Sequence, residues 1–284
     1  MSRLKPIRLY FLFLLLLSCY KLEVLILNFS NFENVIKSIA KIQQDQIIGK
    51  TSKIFETLIV ITDPIDSNRN LAAAISNENI GKFILLSRTF ENKPKLQFFN
   101  QKKLKLSKNN WENVLVVKFN FKMRSPDIIW GQIKKATSSL TTQLQLGGFN
   151  VLRSKAYSDN QAEACLFFLL ESTKIPMNYS KSGPDFFRGS DCTSFISKNI
   201  AKTELMWIND DGKIIALEKR RYNEVVKFMK ELLKNNLQTG IPKGLQSDFK
   251  KGVTITVGNK NLSKSIKEAI LDLISTDDSI FHSN

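Results

Sequence analysis

Residues Asn113 to Phe121 alternate without a break, with Val114, Val116, Lys118 and Asn120 on one side and Leu115, Val117, Phe119 and Phe121 on the other. A period of two is the pattern of a β-strand, and one placed in mid-chain commits its surroundings to a sheet. Pro126 then stands where a helix starts, and the following residues predict a helix over Asp127 to Leu146 that Gly147-Gly148 closes. Phe149 to Ala156 and Glu163 to Glu171 read as two more strands. A later helix over Asn223 to Leu237 and a strand over Gly252 to Val257 complete the order βαββαβ, the split-βαβ or ferredoxin-like plan.

That order leaves Pro176 to Tyr222 as an insertion between the third strand and the second helix. It holds Gly183-Pro184, a short helical piece near Thr193 to Lys198, and two strands, Glu204 to Ile208 and Lys213 to Glu218. Asn209-Asp210-Asp211-Gly212 joins the strands as a hairpin. A last amphipathic helix is expected over Leu262 to Ile274, capped by Asn261 or Ser263.

The first third of the chain reads differently. Leu22 to Ile42 is helix-prone, with Phe32, Val35, Ile36 and Ile39 at intervals of three and four and a break at Ser30-Asn31. Leu58 to Ile61 is a short β-branched and apolar stretch running into a turn at Asp63-Pro64. Ala72, Ala73 and Ala74 favour helix, and Ser76 caps a further helix with Glu78 in its first turn and Ile80, Phe83, Ile84 and Phe90 along its core face. The lysine-rich stretch Glu91 to Asn110, interrupted by Phe98 and Phe99, reads as a linker. The expected class is α+β: an N-terminal apolar segment over 1–17, a helical central, substrate-binding domain over 18–100, a ferredoxin-like βαββαβ body over 111–175 and 223–284, and an inserted α/β tail subdomain over 176–222.

With 284 residues, 43% hydrophobic and 24% charged, the chain has the composition of an ordinary globular protein, neither disordered nor a multi-span membrane protein. Its 42 Lys and Arg against 26 Asp and Glu leave a net charge of +16, which suits a polyanionic partner such as nucleic acid. The bias toward Lys, Asn and Ile that an AT-rich genome imposes gives the same excess in proteins of any function. Cys19, Cys165 and Cys192 have no metal-ligand spacing, and the one histidine, His282, lies in the polar C-terminal tail. A zinc site or a Ser-His or Cys-His pair is therefore poorly supported, and scattered free cysteines fit a reducing cytoplasm.

Met1 to Cys19 resembles a secretory leader, with Arg3, Lys5 and Arg8 ahead of the apolar run Leu9 to Leu17 and a lipoprotein-like box at Leu16-Leu17-Ser18-Cys19. On that alternative the chain is exported and Cys19 is acylated. Against it, Leu22, Val24, Leu25, Ile26 and Leu27 carry the apolar character onward into a buried helix, as they do when translation starts inside a longer gene. On that reading no stable membrane association is expected.

The segment Asp63-Pro64-Ile65-Asp66-Ser67-Asn68-Arg69-Asn70, followed by LAAAISNENIGKFILLSR, resembles the DPxDxxRN segment and following helix of archaeal-type CCA-adding enzymes, the CCA tRNA nucleotidyltransferase family. SCYKLEVLILNFSNFENVI, from Ser18 to Ile36, is similar to that family's SGYLxELL helix and its GSFENVI-like end. PDIIWGQIKK is similar to its PDxxWxQL helix, and LGGFNVLRS with Ser158-Asp159 to the segment after it. Gly183-Pro184 through Phe195-Ile196-Ser197-Lys198, then Lys219-Arg220-Arg221-Tyr222, follow the order of its tail region. The matches run from about Ser18 to about Tyr222 in the family's own order.

This resemblance implies addition of CCA to tRNA from CTP and ATP with Mg2+, on a head domain whose Gly-Ser and Asp-x-Asp pattern holds two metal ions. That pattern does not precede Ser18, so the chain is expected to be the tRNA-binding portion, truncated and inactive alone, or the RNA-binding half of a split enzyme with a separately encoded catalytic head. Gly189-Ser190-Asp191 lacks the second acidic pair and reads as a polar turn before a helix. In the family the DPxDxxRN arginine helps read the incoming base. The resemblance thus assigns Arg69 to nucleotide binding, a task that suits a planar fork of donors, with Asp63, Asp66 and Asn70 beside it. Trp130, Gln132, Lys134 and Lys135 share one helix whose polar face suits an acceptor stem, with Trp130 at a helical spacing that reads as core before stacking platform, and the resemblance assigns Lys219, Arg220 and Arg221 in the tail to the TΨC end of the tRNA. Lys102, Lys103, Lys250 and Lys251 can add cations for a backbone-read duplex.

Overall fold

The computed structural model describes residues 19–95, 108–235, 240–258 and 262–277. The expectations for Leu9 to Leu17, Phe98, Phe99, Lys102, Lys103 and His282 lie outside these residues. Two units divide the chain, residues 1–105 with 276–284 and residues 106–275.

In the first unit, α1 (Cys19–Phe29) and α2 (Phe32–Ala40) are separated where the sequence predicts a break. Ser30 takes a left-handed φ of 75° and Asn31 caps α2, its side chain accepting from the Asn34 N–H, so the helix restarts in a new direction. Val24, Leu25, Val35, Ile36 and Ile39 are buried together with Ile80, Phe83 and Leu86 of α3 (Asn77–Asn92). Ser76 caps α3 as expected. A parallel pair of short strands, β1 (Gln46–Ile48) and β2 (Ile59–Ile61), completes this core, and a 3-10 turn follows at Leu71–Ala74. The strand β1 has no sequence signal of its own; only Ile48 of its three residues is buried.

The second unit is built on β3 (Val114–Asn120), the alternating segment. It lies inside a four-stranded sheet of order β4-β5-β3-β9, formed with β4 (Val151–Ser158), β5 (Glu163–Leu170) and β9 (Val253–Val257), and all three pairings are antiparallel. Both faces of β3 are covered along its first half, so Val114 and Val116 are buried as fully as Leu115 and Val117, whereas Lys118 is half-buried and Asn120 exposed. Leu115, Val117, Phe119 and Phe121 pack with Ile129, Ile133 and Leu140 of α4 (Pro126–Leu146), Met229 of α6 (Val225–Asn235) and Phe249 of α7 (Lys243–Lys251). Val114 and Val116 pack on the other side with Ile266, Ile270 and Leu273 of α8 (Lys264–Ile274). Cys165 of β5 is buried on that side, and burial pushes its thiol pKa up to about 12, so it is an inert packing residue.

Between β5 and α6 a second sheet of order β6-β8-β7 forms from β6 (Asn178–Asp185), β7 (Thr203–Ile208) and β8 (Lys213–Lys219), with α5 (Gly189–Asn199) connecting β6 to β7. The hairpin at Asn209 to Gly212 is present, with Gly212 at φ 73°. Two elements depart from the expectation. Gly183-Pro184, placed in the insertion with no strand expected around it, lies inside β6; this is an edge strand with a register shift between Ser182 and Asp185, where a residue without an N–H is tolerated. Helix α7 is likewise absent from the sequence reading, although Pro242 precedes it and Leu245, Asp248 and Phe249 are its buried stripe.

Candidate functional site

The turn after β2 is made rigid by its own side chains. Asp63 is 3% exposed; its Oδ1 accepts from the Ile65 N–H at 3.0 Å and from the Tyr20 hydroxyl at 2.9 Å. Its backbone N–H donates to the Arg69 carbonyl at 3.1 Å, the Arg69 N–H donates to the Asp66 carbonyl at 3.0 Å, and Asp66 Oδ1 accepts from the Asn68 N–H at 3.0 Å. Two aspartates thus close a loop by short-range acceptance, which is what Asp does in turns.

Asn70 ties this loop to the sheet. Its Oδ1 accepts from the N–H groups of Ile61 at 3.0 Å and Ala72 at 2.9 Å, while its Nδ2 donates to Thr57 Oγ1 at 2.9 Å. Its amide is turned inward and only 8% of the residue is exposed. The Arg69 side chain is 68% exposed, with Nη1 3.6 Å from Asp63 Oδ2 as its one ion pair among the described residues. The arrangement is a fixed base carrying a solvent-facing guanidinium, able to present donors to a base edge or a phosphate.

The electrostatics follow from these contacts. The Ile65 N–H, with further help from the Tyr20 hydroxyl and the Arg69 guanidinium, holds the Asp63 carboxyl below the usual carboxylate range despite the opposing effect of burial. The hydrogen bond to Asp63 in turn raises the Tyr20 phenol above its ordinary value. Tyr20 is a member of the site that sequence reasoning missed. It belongs to a different helix, and nothing local indicates that its hydroxyl meets a carboxylate 43 residues away.

The candidate RNA residues fall in the second unit and separate by environment. On α4, Trp130 packs against the body core and its Nε1 donates to Asn160 Oδ1 at 2.8 Å. Gln132 is half-buried, its Oε1 lying where a side chain on Gly244 would begin, whereas Lys134 and Lys135 are exposed. In the basic run, Lys219 pairs with Glu204, and Arg221 pairs with Glu231 at 3.1 Å and lies over the Tyr222 ring. Arg220 is turned in: its guanidinium carbon sits 4.5 Å from the Tyr179 ring centroid, and its Nη1 donates to the Gly147 carbonyl at 3.2 Å. Lys250 and Lys251 are exposed at the end of α7. Among the described residues no group of three or more His, Cys, Asp or Glu side chains converges as a metal site, and no helix is long and apolar enough to cross a membrane.

Comparison with known proteins places both units in one family. Residues 16–100 match the model described as tRNA nucleotidyltransferase, second domain, and residues 112–258 match the model described as CCA-adding enzyme, C-terminal domain. The chain is 31% identical to the CCA-adding enzyme of Saccharolobus solfataricus over 207 residues, covering 72% of this chain and 48% of that protein. It is 31% identical to that of Sulfolobus acidocaldarius over 217 residues (75% and 50%), and 27% identical to that of Pyrobaculum islandicum over 219 residues (76% and 51%). The chain spans about half the length of these curated relatives. A match over the second and C-terminal domains, in order and across both structural units, means that this chain belongs to the CCA-adding enzyme family.

Proposed function

We propose that this chain is the tRNA-gripping portion of a CCA tRNA nucleotidyltransferase, holding the acceptor–TΨC arm while CTP and ATP are added to the 3′ end. The observation that carries this reading is the Asp63–Asn70 loop. Its hydrogen bonds are consumed internally, yet it leaves the Arg69 guanidinium exposed on a rigid base. In this role Arg69 reads the incoming nucleotide, Asp63 and Asp66 orient it, and Asn70 anchors the loop to β2. The two matched models are a second and a C-terminal domain. The magnesium ions and the carboxylates that clamp them accordingly belong to the remaining part of the family enzyme, supplied by the same gene or encoded separately, and this portion alone does not catalyse the transfer.

Residues 18–100 serve as the substrate-binding neck, 111–175 with 223–284 as the body, and 176–222 as the tail. The strand order β4-β5-β3-β9 with α4 after β3 and α6 before β9 supports a ferredoxin-like plan for the body. Lys134, Lys135, Lys250 and Lys251 are exposed cations suited to a duplex backbone, while Trp130 and Gln132 support the helix that carries the first pair.

Binding of an acceptor–TΨC minihelix by the purified chain, measured from 50 to 200 mM salt, tests the reading. Affinity is expected to fall with a log-log slope of about −0.7 to −0.9 per phosphate neutralised. Absent or salt-independent binding overturns it. With a catalytic head supplied in trans, Arg69→Ala is expected to spare minihelix affinity and impair the choice between CTP and ATP.

A further inference from the structure

The inserted segment, residues 176–222, joins the body through two chain crossings that run side by side. The Ile175 N–H donates to the Asn223 carbonyl at 3.0 Å, the Val225 N–H to the Thr173 carbonyl at 3.0 Å, and the Arg220 N–H to the Met177 carbonyl at 2.8 Å. A two-stranded ribbon is strongly twisted and only marginally stable by itself, so it does not set the angle between the parts it connects. Side chains have to do that. Among the described residues, two side-chain hydrogen bonds run from the inserted segment to the body. Arg221 Nη2 donates to Glu231 Oε1 at 3.1 Å from a side chain that is 77% exposed, and Arg220 Nη1 donates to the Gly147 carbonyl at 3.2 Å.

Arg220 is built in where Arg221 is not. Gly147 ends α4, so its carbonyl offers a cation both an acceptor and the negative end of the helix dipole, and the last turn of α4 has no basic residue of its own. Gly148 keeps the space open, since a Cβ there would lie 2.3 Å from Arg220 Nη1. The guanidinium carbon stands 4.5 Å from the Tyr179 ring centroid. Its Nε is buried without a hydrogen-bond partner, which works against stability, so stability alone does not account for an arginine here. From Tyr179 the contacts continue: its hydroxyl donates to Glu218 Oε2 at 2.7 Å, and Lys181 Nζ donates to Glu218 Oε1 at 3.1 Å and to Asn199 Oδ1 at 2.8 Å. One series of contacts thus runs from the end of α4 through β6 and β8 to α5.

We propose that Arg220 is a positioning residue: it fixes the angle at which the inserted subdomain stands on the body and makes no contact with RNA itself. The inference rests on the tRNA-gripping function and takes one residue out of a basic run that the family resemblance assigns wholly to RNA. An arginine suits the task because its planar guanidinium can lie over a ring and donate in its own plane at once, whereas a lysine ammonium can do only the second. The consequence for binding is preorganisation. An RNA that spans the body and the inserted subdomain meets two surfaces already set at one angle, and the ordering of one on the other is not charged against its affinity.

Double electron–electron resonance between nitroxides at Asp210→Cys and Glu268→Cys, both exposed positions, reads the angle in the free chain, with Cys19→Ser and Cys192→Ser in the background and Cys165 buried. With Arg220 present, one narrow distance distribution is expected; Arg220→Ala is expected to broaden it. Arg220→Lys keeps the charge without the planar stack and is expected to be as broad as the alanine variant; it carries the measurement if the alanine variant does not fold. Arg221→Ala is expected to stay narrow. In unlabelled chains, Arg220→Ala is expected to weaken minihelix binding on the order of fivefold with the salt slope unchanged, because no phosphate contact is lost. A narrow distribution in Arg220→Lys overturns the positioning role. So does a salt slope reduced by about 1 in Arg220→Ala with the affinity restored in Arg220→Lys, a result that would make Arg220 an RNA contact. Failure of the wild-type chain to bind the minihelix overturns the tRNA-gripping function, and the distances in the free chain still decide whether Arg220 holds the subdomain.

Discussion

The Tyr20 hydroxyl donates to Asp63 Oδ1 at 2.9 Å, joining the first helix to the loop that carries Arg69. Asp63 is held as a carboxylate by this bond, by the Ile65 N–H and by Arg69, so its folded-state pKa lies below its unfolded value. A depressed pKa contributes stability that is present above the unfolded carboxylate pKa, about 4, and is lost as pH falls through the folded one. The unfolding midpoint of the wild type is therefore expected to drop as pH is lowered below about 4. Asp63→Asn, which cannot titrate, is expected to be less stable at neutral pH and to converge on the wild type in acid. Tyr20→Phe is expected to raise the Asp63 pKa, read by NMR titration, without returning it fully to the ordinary value, because the Ile65 N–H remains.

Asn70 satisfies two buried N–H groups, those of Ile61 and Ala72, with one carbonyl oxygen. Asn70→Ala leaves both without a partner, at a cost of about 1–3 kcal/mol for each group left buried and unpaired. Chemical denaturation is expected to register a loss on the order of 3 kcal/mol. The loop holding Arg69 is expected to become susceptible to proteolysis before the rest of the chain unfolds.

Gly148 follows α4 at φ 89°, and a Cβ there would lie 2.3 Å from the Arg220 guanidinium. Gly131, within α4, has nothing within 4 Å of the corresponding position. Opposite signs are expected for the same replacement. Gly148→Ala is destabilising, by about 1–3 kcal/mol from backbone strain before any displacement of Arg220. Gly131→Ala is stabilising by about 0.5–1 kcal/mol, since Ala restricts the unfolded chain and favours helix. Denaturant midpoints of the two variants check both.

Asp248 of α7 is fully buried, with Oδ2 2.6 Å from Arg124 Nη2 and Oδ1 accepting from the Lys122 N–H at 3.2 Å. Removing one member of a buried ion pair strands the other charge. Asp248→Ala is expected to cost about 3–5 kcal/mol, while the double replacement Arg124→Met with Asp248→Ala, which removes both charges, recovers much of it. Equal losses in the single and double variants would show that Arg124 reaches water once released.

What the sequence determined by itself is local or strictly periodic. The alternation in β3, the proline start of α4, the break at Ser30-Asn31 and the Ser76 and Ser263 caps depend on residues within a turn or two of one another, and each forms where its pattern lies. The DPxDxxRN-like spelling likewise carries its own turn, because Asp side chains reach only a few residues along the backbone. Tertiary structure decided the rest. Pro184 became part of a strand because that strand is an edge whose register shifts, and α7 acquired its place from a core that Leu245 and Phe249 complete. It also decided which charges remain available. Whether a lysine or arginine is matched depends on where the fold brings Glu204, Glu231 or Gly147, positions distant in the chain that no local pattern specifies.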